Sequence, residues 1–450
     1  MIVTALRPKP AAPRLYRFPR FSEEVLASGL RLVIAPVDKL PIVTILAIVD
    51  AGSTIDPPGK EGLAALTADA LLEGTTEFEG AQLTERFEQL GTAVESGADW
   101  DSAFIKLTVL AERLGDAAIL LGEAISRPIF PEREIERLKA ERLAEILQLE
   151  TEPRGLADEK FAEFLYAGDS RYAKPDGGTA ESVTGLSRAD VDTFFRKQYT
   201  AGSTTVVVAG ATTPAAARSF VAEAFGHWPT GIGPTRALLA APRTTVRKVN
   251  IVNKPDAPQS ELRVGHVGLP RKHPDFFSTL VMNAVLGGLF GSRINLNLRE
   301  VHGYTYGASS YYDWRRGAGP FVVSTAVQSD VTAPALREIF AEIDRIRLET
   351  VTEEELSLAR DYLDGVFPIR YETTAAIASA LANLVIYGLG ADYYDTYRTC
   401  VREITVDDVL NAAKRHLHPD RLQTVIVGDA AGIKDSVAQL KLGELELHSI

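Results

Sequence analysis

Two stretches of this chain, 218 residues apart, repeat one design. That repetition constrains the fold more than any other feature. SRADVDTFFRKQYTAGSTTVVVAGAT begins at Ser187 and TVDDVLNAAKRHLHPDRLQTVIVGDA begins at Thr405. Aligned without a gap, Asp190 falls on Asp408, Val191 on Val409 and Gly210 on Gly428. Each stretch reads as a helix, a polar turn and a β-branched strand. Ser187 and Thr405 are suitable N-caps, because a side-chain oxygen there accepts an orphan backbone N–H. Helix–turn–strand is a common unit, but an offset near half the chain length predicts a duplicated domain. HWPTGIGPTRALLAAPRTT, His227 to Thr245, is rich in Pro, Gly and Thr and reads as the connection. We expect an N-terminal arm over 1–20, a first domain over 21–228, a linker over 229–245 and a second domain over 246–450.

Both halves mix element types. In the first, LRLVIAP and VTILAIVDAG read as strands, AQLTERFEQLG as a helix, and SAFIKLTVLAE alternates as a strand. PEREIERLKAERLAEILQLE is a long helix with Pro near its start. The second half follows the same order from VNIVNK and ELRVGHVGL to a helix around Asp275 to Leu286. Strands and helices do not alternate strictly, which favours α+β layers over a doubly wound sheet. The expected fold is α+β, with two duplicated domains, each a mixed or antiparallel sheet packed with helices.

With 450 residues, 46% hydrophobic and 24% charged, the chain can build more than one core. A net charge of −12 disfavours a nucleic-acid partner. No unbroken apolar run approaches the roughly 18 residues a membrane span needs. The start, MIVTALRPKPAAPRLYRFPRF, is basic and Pro-rich without a long apolar core, so it reads as an arm along the surface. The single cysteine, Cys400, excludes an internal disulfide. A cytoplasmic or periplasmic location is expected.

The stretch GKEGLAALTADALLEGT, Gly59 to Thr75, reads as a helix whose Ala65 and Asp69 are one turn apart on one side. Two histidines at that spacing could hold a metal; neither is present. Of seven histidines only His416 and His418 are close in sequence, at the end of a basic helix where a cation suits the dipole. There is no HExxH, HxxEH or cysteine cluster, so these residues alone give no zinc site. DAGST, Asp50 to Thr54, looks like half of an aspartic-protease loop, but no second loop matches it and a strand end with a Gly turn reads equally well. GGLFGSR, with Gly287, Gly288 and Gly291, lacks the Walker pattern and is read as a turn or as a mobile loop. In LREVHGYTYGASSYY, Arg299 and Tyr306 are seven apart. Arg offers a forked donor and Tyr a phenol able to stabilise an oxyanion. A surface ion pair and a strand tyrosine remain the alternative.

Taken in order, these stretches resemble the insulinase-like (pitrilysin) metallopeptidase family in its short two-domain bacterial form. The carriers are SGLRLVIAP, DAGSTIDPPGKEGLAALTADALLEGT, SRYAKPDGGTAESV, and LGGLFGSR followed by LREVHGYTYGASS. The resemblance places the family's zinc-binding HxxEH on Ala65-Leu66-Thr67-Ala68-Asp69, so both histidines and the catalytic glutamate are replaced. It places the third zinc ligand on Glu145, within Ala144-Glu145-Ile146. Arg299 and Tyr306 match the pair that contacts peptide opposite the zinc. The resemblance thus implies no cofactor in this chain and zinc in a homologous partner subunit. It implies a non-catalytic, substrate-binding half of a heterodimeric zinc endopeptidase acting on peptides or unfolded protein. Its alternative is a non-enzymatic scaffold or peptide-binding subunit of a processing or respiratory-type assembly.

Overall fold

Ser187 and Thr405 cap their helices reciprocally, as the repeat predicts. Asp190 N–H donates to Ser187 Oγ at 3.3 Å, and Ser187 N–H donates to Asp190 Oδ2 at 3.0 Å. Thr405 and Asp408 repeat the arrangement at 3.2 and 2.9 Å. Each box satisfies two N–H groups that a helix start leaves orphaned. The helices that follow, Arg188–Gln198 and Val406–His416, are 11 residues each.

The computed structural model describes residues 15–231, 233 and 240–449. Six strands form the first sheet: β1 (Ser22–Val25), β2 (Arg31–Pro36), β3 (Ile42–Val49), β4 (Glu95–Ala98), β5 (Ala103–Leu110) and β6 (Thr204–Gly210). Their order is β1-β2-β6-β3-β5-β4. The second sheet contains β7 (Lys248–Asn253), β8 (Gln259–Val267), β9 (Ala308–Tyr312), β10 (Pro320–Gln328), β11 (Gln423–Gly428) and β12 (Glu444–Ser449). Its order is β12-β7-β11-β8-β10-β9. Five strands therefore recur in one arrangement, each with a parallel pair (β2–β6, β7–β11) inside an otherwise antiparallel ladder. The sixth differs: β1 is antiparallel to β2, whereas β12 is parallel to β7. The fold is α+β, with two mixed sheets packed by helices.

Both faces of the central strands β2, β3 and β6 are buried, as their unbroken apolar runs require. Leu32, Ile34, Ile45 and Ala47 face one core with Leu63, Leu66 and Leu121. Val33, Ala35, Leu46 and Ile48 face another core, shared with Ile377, Ala378 and Leu381 of helix Thr374–Tyr387. That helix belongs to the second half of the chain. Reciprocally, helix Pro153–Leu165 of the first half puts Leu156, Phe161 and Phe164 against Val322, Val425 and Val427 of the second sheet. The halves exchange covering helices, so neither sheet is complete with its own sequence alone. Arg316 fastens the exchange with an ion pair to Asp50, an N–H bond to Asp101 Oδ2 at 2.8 Å and a bond to Ile386 O at 2.5 Å.

Residues 1–14 of the expected arm, and 232 and 234–239 of the expected linker, lie outside the described residues. The described end of the arm departs from a purely superficial path. Phe18 is buried, stacked on Tyr394 at 4.5 Å, and Tyr16 donates its hydroxyl to Tyr371 O at 2.9 Å. The helical stretch Phe276–Val301 passes the length and composition test for a membrane span that no short run passed in the sequence, but 67% of its apolar window is buried within the protein. It is read as a core element.

Candidate functional site

Helix Leu63–Asp69 is set rigidly before any chemistry is asked of it. Gly62 starts it with φ of +93°, a conformation that suits only glycine, and a Cβ there would lie 2.6 Å from Gly177 O. Asp56, fully buried at its side chain, accepts the N–H groups of Gly62 and Ala64 at 2.9 and 2.8 Å. Arg171 closes that carboxylate at 3.0 Å. Leu63, Ala64, Leu66, Thr67 and Ala68 are buried.

Along this helix, Ala65 is half-buried, Ala68 is buried and Asp69 is exposed. Glu145 stands on helix Glu132–Thr151, close enough for its charge to act on Asp69. The fold therefore brings Asp69 and Glu145 close enough for their charges to interact. Loss of solvation first, then the charge of Glu145, raises the Asp69 carboxyl to about 6; Arg142 pulls it back and Glu73 adds to the rise. Asp69 keeps open surface while protein crowds around its carboxyl. Tyr199 hydroxyl, buried and without a hydrogen-bond partner among the described residues, lies within reach of the Asp69 charge.

The residues do not fit zinc. Ala65 supplies no ligand and Ala68 no base, which leaves two carboxylates where a catalytic site uses three protein ligands and an open position. A cation is already in place, because Arg142 Nη1 donates to Glu145 Oε2 at 3.0 Å and its Nε to Gly177 O at 3.0 Å. No step of hydrolysis is derived through a metal on this helix.

The second constellation is built differently. Helix Phe276–Asn283 continues as a π-helical turn, Ala284–Gly288, and a second π-helical stretch, Leu296–Val301, carries Arg299. Such turns are rare and favour functional sites. Gly287 and Gly288 thus sit in helix, and only Gly291 lies in the turn between the two helical stretches. A Cβ on Gly287 would fall 2.4 Å from Ser310 Oγ, so glycine here lets the helix approach β9. Asn283 and Asn295 sew the segment together. Asn283 donates to Ser310 O at 2.9 Å, while Asn295 donates to Phe290 O at 2.6 Å and accepts Ala308 N–H at 3.0 Å.

Gly303, with φ of +67°, ends the second stretch by donating to Arg299 O at 3.2 Å. Tyr306 follows, with its neighbours tied down on both sides. Thr325 Oγ1 reaches Thr305 Oγ1 at 3.0 Å and Gly307 O at 3.1 Å. The tyrosine side chain is 96% exposed. Arg299 is half-buried, stacked 4.6 Å over the Phe290 ring and 3.6 Å from Glu300. Among the described residues no hydrogen bond, ion pair or ring contact joins Arg299 or Tyr306 to Ala65, Ala68, Asp69 or Glu145.

Sequence reading missed the parts that hold these sites. Asp56 and Arg171 are 115 residues apart and Tyr306 relies on Thr325; no local signal links them. His416 ends its basic helix as read, and the structure adds a partner that no local signal gives, Asp275, Nε2 to Oδ2 at 2.7 Å. DAGST is a strand end followed by a turn, with Asp50 engaged by Arg316.

Comparison with known proteins follows this geometry. Residues 32–171 match the insulinase (peptidase family M16) domain, and residues 185–363 match the peptidase M16 inactive domain. A Helicobacter pylori protein described as a non-peptidase homolog, YmxG, is 25% identical over 84% of this chain and 87% of its own. A Mycobacterium tuberculosis relative described as an uncharacterized zinc protease is 24% identical over 97% of this chain and 99% of its own. The crystal structure of a peptidase M16 inactive domain from Pseudomonas fluorescens superposes with a TM-score of 0.86 at 26% identity, covering 91% of this chain and 98% of the other. With two sheets in the family's arrangement and M16 matches over most of its length, the chain belongs to the insulinase-like M16 peptidase family.

Proposed function

We propose that this chain is the non-catalytic, substrate-binding subunit of a heterodimeric zinc endopeptidase of the cytoplasm or periplasm. One observation carries the reading: Tyr306 is 96% exposed while the backbone on both sides of it is anchored. A phenol carried on anchored backbone, yet free of internal partners among the described residues, is ready to act on something outside the chain. The similarity to an M16 inactive domain and to a non-peptidase homolog supports the absence of hydrolysis by this chain alone. In the complex, Tyr306 donates a hydrogen bond to the scissile carbonyl as it becomes an oxyanion. Arg299 holds an adjacent peptide carbonyl or terminus through its forked donors. The homologous partner supplies HxxEH and zinc. The turn at Gly291 borders the pair and admits an extended peptide.

The test measures zinc content and cleavage of a quenched peptide, for this chain alone and mixed with an HxxEH-bearing homologue of the same cell. Inactivity of this chain alone, whatever metal it holds, with activity and one further zinc per pair on mixing, supports the reading. Chelator-sensitive cleavage by the pure chain overturns it. A stable complex whose cleavage does not depend on Tyr306 and Arg299 transfers the assignment to a scaffold.

A further inference from the structure

The second half gathers four of the seven histidines where helix Phe276–Asn283 begins and helix Val406–His416 ends. Two of them are already committed to each other's surroundings. His266 is buried; its Nδ1 bonds to Val267 O at 2.9 Å and its Nε2 accepts the His418 N–H at 3.3 Å. The other pair is open to a ligand. His273, Asp275 and His416 each offer one donor atom, all within 4.8 Å of one another, and all three residues are half-buried. The imidazoles meet edge-on with ring centres 5.2 Å apart.

We propose that His273, Asp275 and His416 form a binding site for a divalent metal of the zinc class, joining the start of one helix to the end of the other. Two imidazoles and one carboxylate are a donor set for zinc or its transition-metal neighbours, and not for magnesium or calcium, which take oxygen ligands. Three protein ligands leave the fourth position to water or to an incoming group. Bonds of about 2.0–2.2 Å need donor atoms about 3.4 Å apart, so the cluster contracts on binding. Side-chain rotation suffices, because His273 sits in the loop before its helix and His416 is the last residue of the other.

Each exchange is simple. At His416 the cation takes the place of the contact between Nε2 and Asp275 Oδ2, and a neutral imidazole then carries its proton on Nδ1. At His273 the cost is one hydrogen bond of 3.1 Å, from the Asp275 amide to Nδ1. Asp275 Oδ1 makes no hydrogen bond among the described residues, while Oδ2 also forms an ion pair with Arg415 Nη1 at 2.9 Å. Arg415 is the competitor, a cation that holds the same carboxylate and repels a metal; its side chain is 55% exposed, so it can be replaced without disturbing the core. The repeat underlines the difference: at the 218-residue offset, His416 corresponds to Gln198. This site is independent of the Arg299/Tyr306 reading.

The test uses the full untagged chain, stripped with chelator and titrated with zinc chloride by calorimetry at pH 7.5. One zinc per chain is expected. His273→Gln and His416→Gln should each weaken binding at least tenfold, and the Asp69→Asn/Glu145→Gln double variant should leave it unchanged. Arg415→Gln should tighten binding several-fold, a gain that damage to the fold cannot imitate. Cobalt added to the native chain should give the intense visible absorption of a four- or five-coordinate site. A chain that retains no zinc, binding that survives both histidine substitutions, or cobalt with the spectrum of the aqueous ion would overturn the proposal and leave an ion-paired helix junction.

Discussion

Helix Leu63–Asp69 and the Arg299/Tyr306 segment show opposite relations between structure and chemistry. The helix is over-determined: a glycine only its φ allows, a buried Asp56–Arg171 pair, five buried residues in seven. Yet with Glu145 its open side supplies only two carboxylates, too few for a catalytic zinc site. Around Arg299 and Tyr306 the backbone is equally well held, by Asn283, Asn295 and Thr325, but the two side chains do almost nothing for the fold. Arg299 and Tyr306 carry little of the fold, whereas the helix carries much of the core. The comparison separates what the fold requires from what a partner would require.

The largest effect should come from the framework of the first region. Asp56→Ala removes both N–H contacts at the helix start and leaves Arg171 buried without its partner. Breaking such a pair costs about 3–5 kcal/mol, read as a lower midpoint in urea. A loss below about 1 kcal/mol would mean that the helix is held by its apolar face alone. Tyr306→Phe should do the reverse. Unfolding should be unchanged, while cleavage by the mixed complex falls about a hundredfold to a thousandfold, or about 2.7–4 kcal/mol of barrier. Full activity in that variant removes Tyr306 from the chemistry.

A third substitution couples framework to site. Gly287→Ala drives a methyl to 2.4 Å from Ser310 Oγ and 2.6 Å from its amide, so β9 must shift. Overpacking of this kind costs about 1–3 kcal/mol. Because β9 follows directly on the Tyr306 segment, activity of the mixed complex should fall together with the midpoint. Equal stability with lost activity would instead point to a loop role for the glycines.

Much of this framework was legible in the sequence because its causes are local. The N-caps of Ser187 and Thr405, the apolar runs of β2 and β3, the alternation of β5 and the long helix at Glu132 follow from short-range rules. What stayed hidden depends on distance along the chain. The apolar residues of Thr374–Tyr387 announce a buried helix but not that it covers the other half's sheet. His273 and Asp275 lie 143 and 141 residues from His416, so no spacing rule joins them. Asp69 and Glu145 became a pair only through resemblance, since a carboxylate on a helix has no reason by itself to seek another. The π-helical turns have no sequence signature beyond two glycines.

The smallest effect sharpens the first region most. Asp69 titrates near 6 in the folded chain, raised by lost solvation and by Glu145, against about 3.9 when unfolded. A carboxyl whose folded pKa is raised favours the folded state below the unfolded value, and that advantage is lost as pH rises to the folded value. Asp69→Asn does not titrate, so it should match the wild type near pH 4 and exceed it above pH 6. The gain is about 1 kcal/mol, well below the full shift because the residue keeps exposed surface. Urea midpoints of both proteins across pH 4–8 read it directly. Should Asp69→Asn be less stable at pH 7.5, the carboxylate has a favourable partner in solution, and the helix would hold a working charge instead of the remnant of one.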